Sequence, residues 1–396
     1  MRDVGEEVAA AYREEWGRVV AAVIRFTGDW DLAEECAQDA FARALRRWPV
    51  HGVPRRPGAW LTTAARNLAR DRLRRRALEA GKLREFALRR PAEAGTGPDD
   101  RLELMFACCH PALALPARVA LTLRCLTGLS TADIARAFLV PEATMAQRIV
   151  RAKRKIRHGG IPFRVPPAHL LPERLDAVLA VLYLLYNAGY SGGGRPELAA
   201  EAVRLARVLA GLMPAEPEAR GLLALMLLHE ARRPGRHDAG GDIVPLDRQD
   251  RGGWDRAAIA EGVRLLAPAP AGKYQVQAAI AACHACAPSA GETDWPRISR
   301  LYAQLARLAP GPVVELNRAV AVSMADGPAA ALPLLDALRA AGALDGYHLL
   351  PATRAELLRR LGRRAEAAQS GREALELAAD EAERRYLTRW LTSLTS

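Results

Sequence analysis

One segment of the sequence, Pro57–Arg76, combines the spacing of an amphipathic helix with a dense row of arginines. Its apolar residues recur every three or four positions, which predicts a helix with one face in a core. These residues are Leu61, Ala64, Ala65, Leu68, Ala69 and Leu73. The polar side carries Arg66, Asn67, Arg70, Arg74 and Arg75. Arginines bind phosphates and an amide can read a base, so the segment favours a nucleic-acid partner.

The surplus of positive charge is confined to two stretches of the chain. The whole chain has 57 Lys and Arg against 45 Asp and Glu, a formal net charge of +12. Residues 41–90 hold 15 basic and 3 acidic side chains, and residues 145–157 hold 6 basic and none acidic. A general preference for arginine would not produce two clusters. The asymmetry favours a nucleic-acid module joined to a nearly neutral second part.

The composition predicts an almost entirely helical protein with two or three domains. Half of the residues are apolar, only 5% are aromatic, and runs of β-branched residues are scarce. No run of about 18 uncharged apolar residues is present, so we expect no transmembrane helix and no membrane partner. The acidic N-terminus lacks the apolar stretch of a signal peptide, which makes the cytoplasm the expected location.

Two helices are predicted before the arginine-rich segment, over Val8–Phe26 and Asp31–Trp48. Asp29 or Asp31 is the expected N-cap of the second helix. After the arginine-rich segment, residues 77–100 are rich in Gly, Pro and Asp toward their end and are predicted to be a linker.

A helix-turn-helix is predicted from the order of its parts. A turn at Thr127–Ser130, with Ser130 or Thr131 as N-cap, precedes a short helix over Ala132–Phe138 and a longer one over Glu142–Ile156. The polar side of the longer helix carries Thr144, Gln147, Arg148, Arg151, Arg154 and Lys155. Its expected inward side comprises Ala143, Ala146, Ile149, Val150 and Ile156.

Beyond a Pro- and Gly-rich linker at 159–170, the sequence predicts an array of helices. The runs are 172–190, 196–213, 217–231, 254–266, 274–286, 295–309, 312–325, 328–341, 347–361 and 364–379. The turn glycines Gly327 and Gly362 separate two similar helix pairs, and a pair repeated about every 34 residues is typical of tetratricopeptide repeats. Such an array is either a concave binding surface or a scaffold without a ligand.

The chemistry-bearing residues do not form a recognisable catalytic or metal site. Cys108 and Cys109 are adjacent, and Cys283 and Cys286 lie in an alanine-rich helical pattern, so we expect buried thiols at both places. The histidines are scattered, with no paired-carboxylate or Ser/His/Asp set. We therefore expect no metal, no cofactor and no enzymatic activity.

The first 158 residues resemble bacterial sigma factors of the extracytoplasmic-function group, in the sigma-70 superfamily. Four blocks carry the resemblance in the right order: Asp31–Leu45, Pro57–Arg75, Leu115–Arg118 with Gly128–Arg136, and Val140–Ala152. The whole chain is similar to the subgroup with a C-terminal tetratricopeptide-like extension. Three segments carry that similarity, namely Leu184–Tyr190, Leu223–His229 and Glu315–Val322.

The resemblance implies an all-α fold of two small helical domains, the second a helix-turn-helix, followed by a helical-repeat domain. Region 2 would occupy 1–76, the first linker 77–100, region 4 101–158, the second linker 159–170 and the regulatory repeat domain 171–396. It implies a transcription initiation factor that binds core RNA polymerase, through the β′ clamp helices and the β flap, and directs it to promoter DNA. The repeat domain would regulate or complete this activity, with a protein or small ligand as its possible partner.

The resemblance also implies a role for each group of side chains. Polymerase would be bound by Glu34, Glu35, Gln38, Asp39 and Phe41. The −10 element, with a flipped base held near Arg46–Pro57, would be bound by Arg66, Asn67, Arg70, Arg74 and Arg75. The −35 element would be bound by Thr144, Gln147, Arg148, Arg151, Arg154 and Lys155.

The residues leave one alternative open, a conventional helix-turn-helix regulator with a helical-repeat sensor domain. Such a regulator does not need the block 31–76 and binds its operator as a free protein. Trp60 likewise has two interpretations, a stacking residue for a base or, preferably, the anchor that holds the arginine-rich helix on its core.

Overall fold

The computed structural model describes residues 4–79, 100–138, 140–190, 196–236, 238, 240–269, 271–379 and 381–395. These residues form helices and connecting loops without a strand, which confirms the all-α fold. None of the described helices combines the length and hydropathy that a bilayer-spanning segment needs. The chain divides into two compact units, Met1–Ala202 and Val203–Ser396. Most of the predicted linker 77–100 lies outside the described residues.

Eight of the described helices belong to the first unit. They are α1 Val4–Thr27, α2 Trp30–His51, α3 Pro57–Glu79, α4 Asp100–Cys108, α5 Leu115–Thr122, α6 Thr131–Ala137, α7 Glu142–His158 and α8 Leu171–Tyr190. A π-helical turn, Leu123–Thr127, continues α5. A ninth helix, α9 Pro196–Leu212, spans the boundary between the two units.

The helices α1, α2 and α3 pack pairwise into a three-helix bundle. The side chain of Asp29 caps α2 by accepting the backbone N–H groups of Asp31 and Leu32, each at 3.1 Å. One of the two predicted caps is thereby confirmed. The aromatic rings of Tyr12, Trp16 and Phe41 contact one another in the bundle core, with centroids 4.9 to 6.1 Å apart.

The helices α4 to α7 form the helix-turn-helix domain. The Ser130 hydroxyl accepts the backbone N–H of Asp133 at 3.1 Å and so caps α6, as predicted. Gly128 has φ +75°, the left-handed region that glycine adopts without strain. The predicted linker 159–170 contains no helix, and after it α8 packs against α4 and α5.

The three-helix bundle and the helix-turn-helix domain are in direct contact within the first unit. Tyr12 Oη donates to the carbonyl oxygen of Gly128 at 2.9 Å, and Trp16 Nε1 donates to that of Arg124 at 3.3 Å. A Cβ atom on Gly17 would lie 2.9 Å from the carbonyl oxygen of Leu126. This close backbone approach requires glycine at position 17.

The second unit is a stack of helix pairs. Its helices are α10 Pro217–Glu230, α11 Arg256–Arg264, α12 Lys273–Cys286, α13 Trp295–Leu308, α14 Pro312–Ala325, α15 Pro328–Ala340, α16 Leu349–Arg360, α17 Arg364–Leu377 and α18 Glu381–Thr395. Each of them packs against the next helix in sequence, as in a helical-repeat array. All ten predicted helical runs are present, with Gly327 and Gly362 at positive φ in the turns. The last helix, α18, was not predicted.

A buried arginine fixes the long loop between α10 and α11. Arg251 is 8% exposed, and its Nη1 atom donates to the carbonyl oxygens of His284 and Ala287 at 2.8 and 2.7 Å. Its guanidinium lies 4.8 Å from the ring centroid of the buried Trp254. The carbonyls at the end of α12 thus receive the donors that a helix C-terminus lacks.

We predict that Gly128→Ala destabilises the first unit more than Gly160→Ala does. Both glycines have positive φ, which costs another residue about 1–2 kcal/mol. Only at Gly128 would the new Cβ also meet a side chain, 2.6 Å from Tyr12 Oη, whereas nothing lies within 4 Å at Gly160. Urea unfolding monitored by circular dichroism compares the two variants. Equal destabilisation would contradict the close contact between the bundle and the turn.

Candidate nucleic-acid interface

The helix α3 presents its polar row to solvent as the sequence predicts. Asn67, Arg70, Arg74 and Arg75 are exposed and Arg66 is half-buried. Arg70 Nη1 donates to Asn67 Oδ1 at 3.3 Å, which holds the amide within the arginine row. The helix therefore offers several cations and one amide side by side, as phosphate and base contacts require.

The opposite side of α3 anchors it in the bundle. Leu61, Ala65 and Ala69 are fully buried. Trp60 is half-buried and meets the buried Trp48 edge-on, with ring centroids 5.7 Å apart. This packing favours the anchoring interpretation of Trp60 over a role in stacking on a base. The loop before α3 begins at the α2 C-cap Gly52, so residues 46–51 of the predicted base-holding loop are helical.

Arg72, which is not among the predicted site residues, joins α3 to the acidic residues of α2. Its Nη2 atom lies 2.6 Å from Asp39 Oδ2, and its Nη1 atom lies 3.4 Å from Glu35 Oε2. Both carboxylates remain about half exposed, at 49% and 58%. Gln38 is exposed between them, so Glu35, Gln38 and Asp39 form a polar surface that a partner can reach.

Phe41 is buried, at 4% exposure, although it was expected to contact a partner. Its ring packs in the core beside Tyr12 and Trp16. Its accessible edge lines an open apolar groove of about 530 Å³ between α1 and α2, together with Val8, Gln38 and Leu45. The accessible apolar feature on this side is therefore the groove rather than a projecting phenylalanine.

Glu34 is also buried, at 6% exposure, and lies beneath the helix-turn-helix domain. Its Oε2 atom accepts from Arg124 Nε at 2.8 Å, and its Oε1 atom lies 2.6 Å from Lys153 Nζ. The thiol of Cys125 also contacts Oε1, at 3.7 Å. Glu34 differs from Glu35 and Asp39 in burial, because its carboxylate is withdrawn from solvent whereas theirs stay about half exposed.

The helix α7 exposes nearly all of its expected nucleic-acid residues. Thr144, Gln147, Arg151, Arg154 and Lys155 are exposed and Arg148 is half-buried. Arg151, Arg154, Lys155 and His158 line one shallow depression of about 500 Å³. Four side chains at spacings of three and four residues share a helix face, so α7 carries a continuous basic surface.

The buried side of α7 differs from the predicted one. Val150 is 54% exposed and Ala143 is exposed, whereas Met145 and Ala152 are buried with Ile149 and Ile156. Ala146 is half-buried. Compared with the predicted orientation, α7 is therefore rotated about its axis so that Met145 faces the core. The long, flexible side chain of methionine can fill an irregular space there.

Lys153 is the one charged residue on the buried side of α7, at 7% exposure. Besides Glu34, its Nζ atom contacts Asp31 Oδ1 at 2.9 Å. Burial alone would lower the pKa of Lys153, but Cys125, Glu34 and Asp31 raise it above its usual value. Likewise, burial would raise the pKa of Asp31, and the contacts with Lys153 and Arg157 lower it instead. The sequence predicts no more for Lys153 than a place in the basic stretch 145–157.

The second unit contains a cavity of about 720 Å³ between the long loop and the last helices. Tyr386 and Trp390 of α18 contribute aromatic faces, and Arg248, Arg359 and Arg389 contribute cations. Asp242 of the loop forms ion pairs with Arg385 and Arg389, which hold the loop against α18. The volume of the cavity lies within the range of small-ligand sites.

The cysteines partly confirm the expected burial. Cys36, Cys108, Cys109 and Cys125 are buried, Cys283 is half-buried and Cys286 is exposed. The expectation was therefore wrong for Cys286, because the end of α12 reaches solvent there. Among the described residues, no group of three or more Cys, His, Asp or Glu side chains is arranged to hold a metal ion.

Comparison with protein families matches three segments of the chain, the third of which crosses the boundary between the two compact units. Residues 11–79 match the family described as Sigma-70 region 2, and residues 103–156 match Sigma-70, region 4. Residues 174–270 match a family of unknown function, DUF6596. The first two matches contain α3 and α7, the two helices that carry the basic surfaces.

Two relatives extend this comparison. An uncharacterised protein of Rhizobium meliloti (strain 1021) is 43% identical over 398 residues, covering 96% of this chain and 94% of that protein. A probable ECF RNA polymerase sigma factor, SigI, of Mycobacterium tuberculosis (strain ATCC 25618 / H37Rv) is 27% identical over 172 residues, covering 41% of this chain and 59% of that protein. No solved structure matches the chain.

We predict that Lys153→Met returns the pKa of Asp31 toward its ordinary value. Because the pKa of Asp31 is lowered in the folded chain, its stabilising effect is complete above the ordinary pKa and is lost as the pH falls through the lowered one. Carbon-13 NMR titration of aspartate-labelled protein measures this shift. The internal control is Asp133, whose pKa is lowered by Ser130 and Arg136 and should not change. An unaltered Asp31 titration would contradict the ion pair.

Proposed function

The chain belongs to the sigma-70 superfamily, as a sigma factor of the extracytoplasmic-function type with a C-terminal extension, and from this premise we propose that it initiates transcription at specific promoters. The observation that carries the proposal is the pair of exposed basic helices, α3 and α7, one in each matched sigma region. In this proposal the chain acts in the cytoplasm by binding core RNA polymerase and promoter DNA, without catalysis of its own.

The helix α3 is proposed to hold the −10 element while it is opened. Its exposed Arg70, Arg74 and Arg75, with the half-buried Arg66, suit the phosphates of a separated strand. Asn67 is the base-reading candidate, because an amide can donate to and accept from one base edge. Val53–Arg56, between α2 and α3, are proposed to lie near a flipped base.

The helix α7 is proposed to enter the major groove at the −35 element, as the second helix of a helix-turn-helix does. Arg148 and Arg151 are the candidates for base or phosphate contact, and Thr144 and Gln147 lie one turn nearer the N-terminus. Arg154 and Lys155 extend the basic surface toward the C-terminus of the helix and are proposed to bind phosphates.

Core polymerase is proposed to bind the polar surface of α2 through its β′ clamp helices. Glu35, Gln38 and Asp39 are accessible there, and the apolar groove beside Phe41 adjoins them. Carboxylates beside an apolar groove suit a helical partner with cations flanking apolar side chains. The β flap is the proposed partner of the helix-turn-helix domain.

The second unit is proposed to regulate or complete this activity. It forms nearly half of the chain, and its stacked helices resemble a binding array more than a nucleic-acid module. The cavity lined by Arg248, Tyr386 and Trp390 is the proposed place for a small ligand or for a segment of a partner protein.

Run-off transcription tests the proposal against the alternative, a conventional helix-turn-helix regulator with a sensor domain. The purified chain is added to core polymerase that carries no other sigma factor, with a library of promoter sequences as template. We expect start sites that depend on the chain and share two sequence elements. If no template gives a start site while the free chain protects duplex DNA from cleavage, the alternative is correct.

Within that assay we predict different effects at two positions of α3. Arg74→Ala should weaken promoter binding on every template, because it removes one phosphate contact. The slope of the logarithm of the binding constant against the logarithm of the salt concentration should fall by about 1. Asn67→Ala should instead change the preferred base within the −10 element. Arg264→Ala, at an exposed arginine of the second unit, is the matched control and should change neither. Identical behaviour of Asn67→Ala and Arg74→Ala would remove the base-reading role.

Two truncations test the role of the second unit. One ends after Arg157, and the other ends after Tyr190 and keeps α8 on α4 and α5. If the second unit regulates or completes activity, both truncations change the yield of promoter-dependent transcript. The longer one controls for the loss of α8, because it retains the helix that supports the helix-turn-helix domain. Full activity of both truncated chains would exclude a regulatory role in cis.

A further inference from the structure

The cavity in the second unit, with a volume of about 720 Å³, has walls from three segments that lie far apart in sequence. The long loop between α10 and α11 forms one wall, and α16 and α18 form the others. Its charged and aromatic lining includes Arg248, Glu356, Arg359, Tyr386, Arg389 and Trp390. Two aromatic rings and three guanidinium groups thus share one space of small-ligand size.

We infer that this cavity binds a small anion that carries a planar ring, the chemistry of a mononucleotide, with the ring on the aromatic face of α18 and the phosphate on the guanidinium groups. This assignment rests on the proposed function, because it concerns the unit to which regulation is assigned there. It adds the chemical class of the ligand and selects a small molecule over a segment of a partner protein.

The aromatic face of α18 is held rigidly. Tyr386 and Trp390 lie one helical turn apart and therefore share a side of the helix. Trp390 Nε1 donates to Glu356 Oε2 at 3.2 Å. At the other edge of the indole, a Cβ atom on Gly371 of α17 would lie only 2.8 Å from Cζ3 of Trp390. Because both edges of the indole are held, a planar ring can stack on it without first having to order the side chain.

The hydrogen bonds of Glu356 leave donors rather than acceptors for a ligand. Its Oε2 atom accepts from Arg359 Nε at 2.8 Å as well as from Trp390, and its Oε1 atom accepts from Arg359 Nη2 at 2.7 Å. Both oxygens of this carboxylate are thus bound within the cavity wall. Arg359 keeps its Nη1 atom as a donor, since Glu356 takes only Nε and Nη2.

The lining also carries a net positive charge. Its described residues include three arginines but only two carboxylates, Asp247 and Glu356. Arg248 is exposed, and its guanidinium forms no hydrogen bond or ion pair within the described part of the chain. A guanidinium binds a phosphate through two parallel hydrogen bonds. An anion in the cavity therefore meets a cation that no carboxylate of these residues neutralises.

The loop wall is fixed in place before any ligand binds. Asp242 Oδ1 lies 2.6 Å from Arg385 Nε, and its Oδ2 atom pairs with Arg389. The backbone N–H of Asp242 donates to Asp238 Oδ1 at 2.9 Å, and that of Asp238 donates to the carbonyl oxygen of Asp242 at 3.0 Å. A tight turn thus presents Asp242 to α18. A preformed cavity of this kind lowers the entropic cost of binding a small molecule.

Isothermal titration calorimetry of the full chain tests the inference, with AMP, GMP, CMP and UMP as probes. We expect at least one of them to bind. The corresponding nucleoside lacks the phosphate, and ribose phosphate lacks the ring, so each should bind at least ~10-fold more weakly than the nucleotide. The inference is overturned if none of the four nucleotides binds, or if either fragment binds as tightly as the nucleotide.

Three arginine variants locate the nucleotide. Arg248→Ala should weaken its binding by ~10-fold and leave the binding of the nucleoside unchanged, because the variant removes a phosphate contact only. Arg264→Ala, at an exposed arginine of the same unit, is the matched control and should have no effect. Arg154→Ala, on the basic surface of α7, should have none either. A loss of affinity in Arg154→Ala but not in Arg248→Ala would place the nucleotide on α7 and overturn the inference.

The proposed function and the inference can fail separately. Calorimetry needs neither polymerase nor DNA, so it decides the cavity even if the chain starts no transcription. Regulation through the cavity is measured as promoter opening with core polymerase, by the permanganate reactivity of unpaired thymines, which requires no nucleoside triphosphates. The bound nucleotide should change the extent of opening for the unsubstituted chain and not for Arg248→Ala. Binding without such a change would confirm the site and exclude its regulatory role.

Discussion

The arrangement of the first unit depends on the carboxylate of Glu34. This group is withdrawn from water, and a buried charge is tolerated only with partners of opposite charge and good geometry. Arg124 comes from the π-helical turn and Lys153 from α7, so the two halves of the helix-turn-helix domain meet on a single side chain of the bundle. Such a pair adds little net stability over an apolar contact, but it defines which surfaces can meet.

Around this ion pair, backbone contacts determine how closely the two domains approach. Gly17 lies against the carbonyl oxygen of Leu126, and Tyr12 donates to that of Gly128. The ion pair determines which surfaces of the bundle and the helix-turn-helix domain meet, and the backbone contacts set the distance between these two domains. In the second unit, a buried charged side chain likewise connects two elements. Arg251 donates to two carbonyl oxygens at the end of α12 and so positions the loop that lines the cavity.

Local features of the sequence predicted local structure well. The helices, the caps at Asp29 and Ser130, and the exposed rows of α3 and α7 depend on residues close in sequence, and they were predicted from spacing. The burial of Glu34 and Lys153 depends on a pairing across 119 positions, for which periodicity gives no signal. A lysine in a basic stretch is ordinarily exposed, and only the fold shows that this one is not.

The division between buried and exposed residues gives α7 two different charged sides. Glu34 and Lys153 are buried and paired with each other, so their charges determine how α7 contacts α2. Arg151, Arg154 and Lys155 lie on the same helix but are exposed. Since an α-helix turns once every 3.6 residues, Arg154 and Lys155, which follow Lys153 in sequence, point away from the bundle. The helical register alone therefore lets one basic helix bind the bundle through a single buried lysine and keep a basic surface accessible.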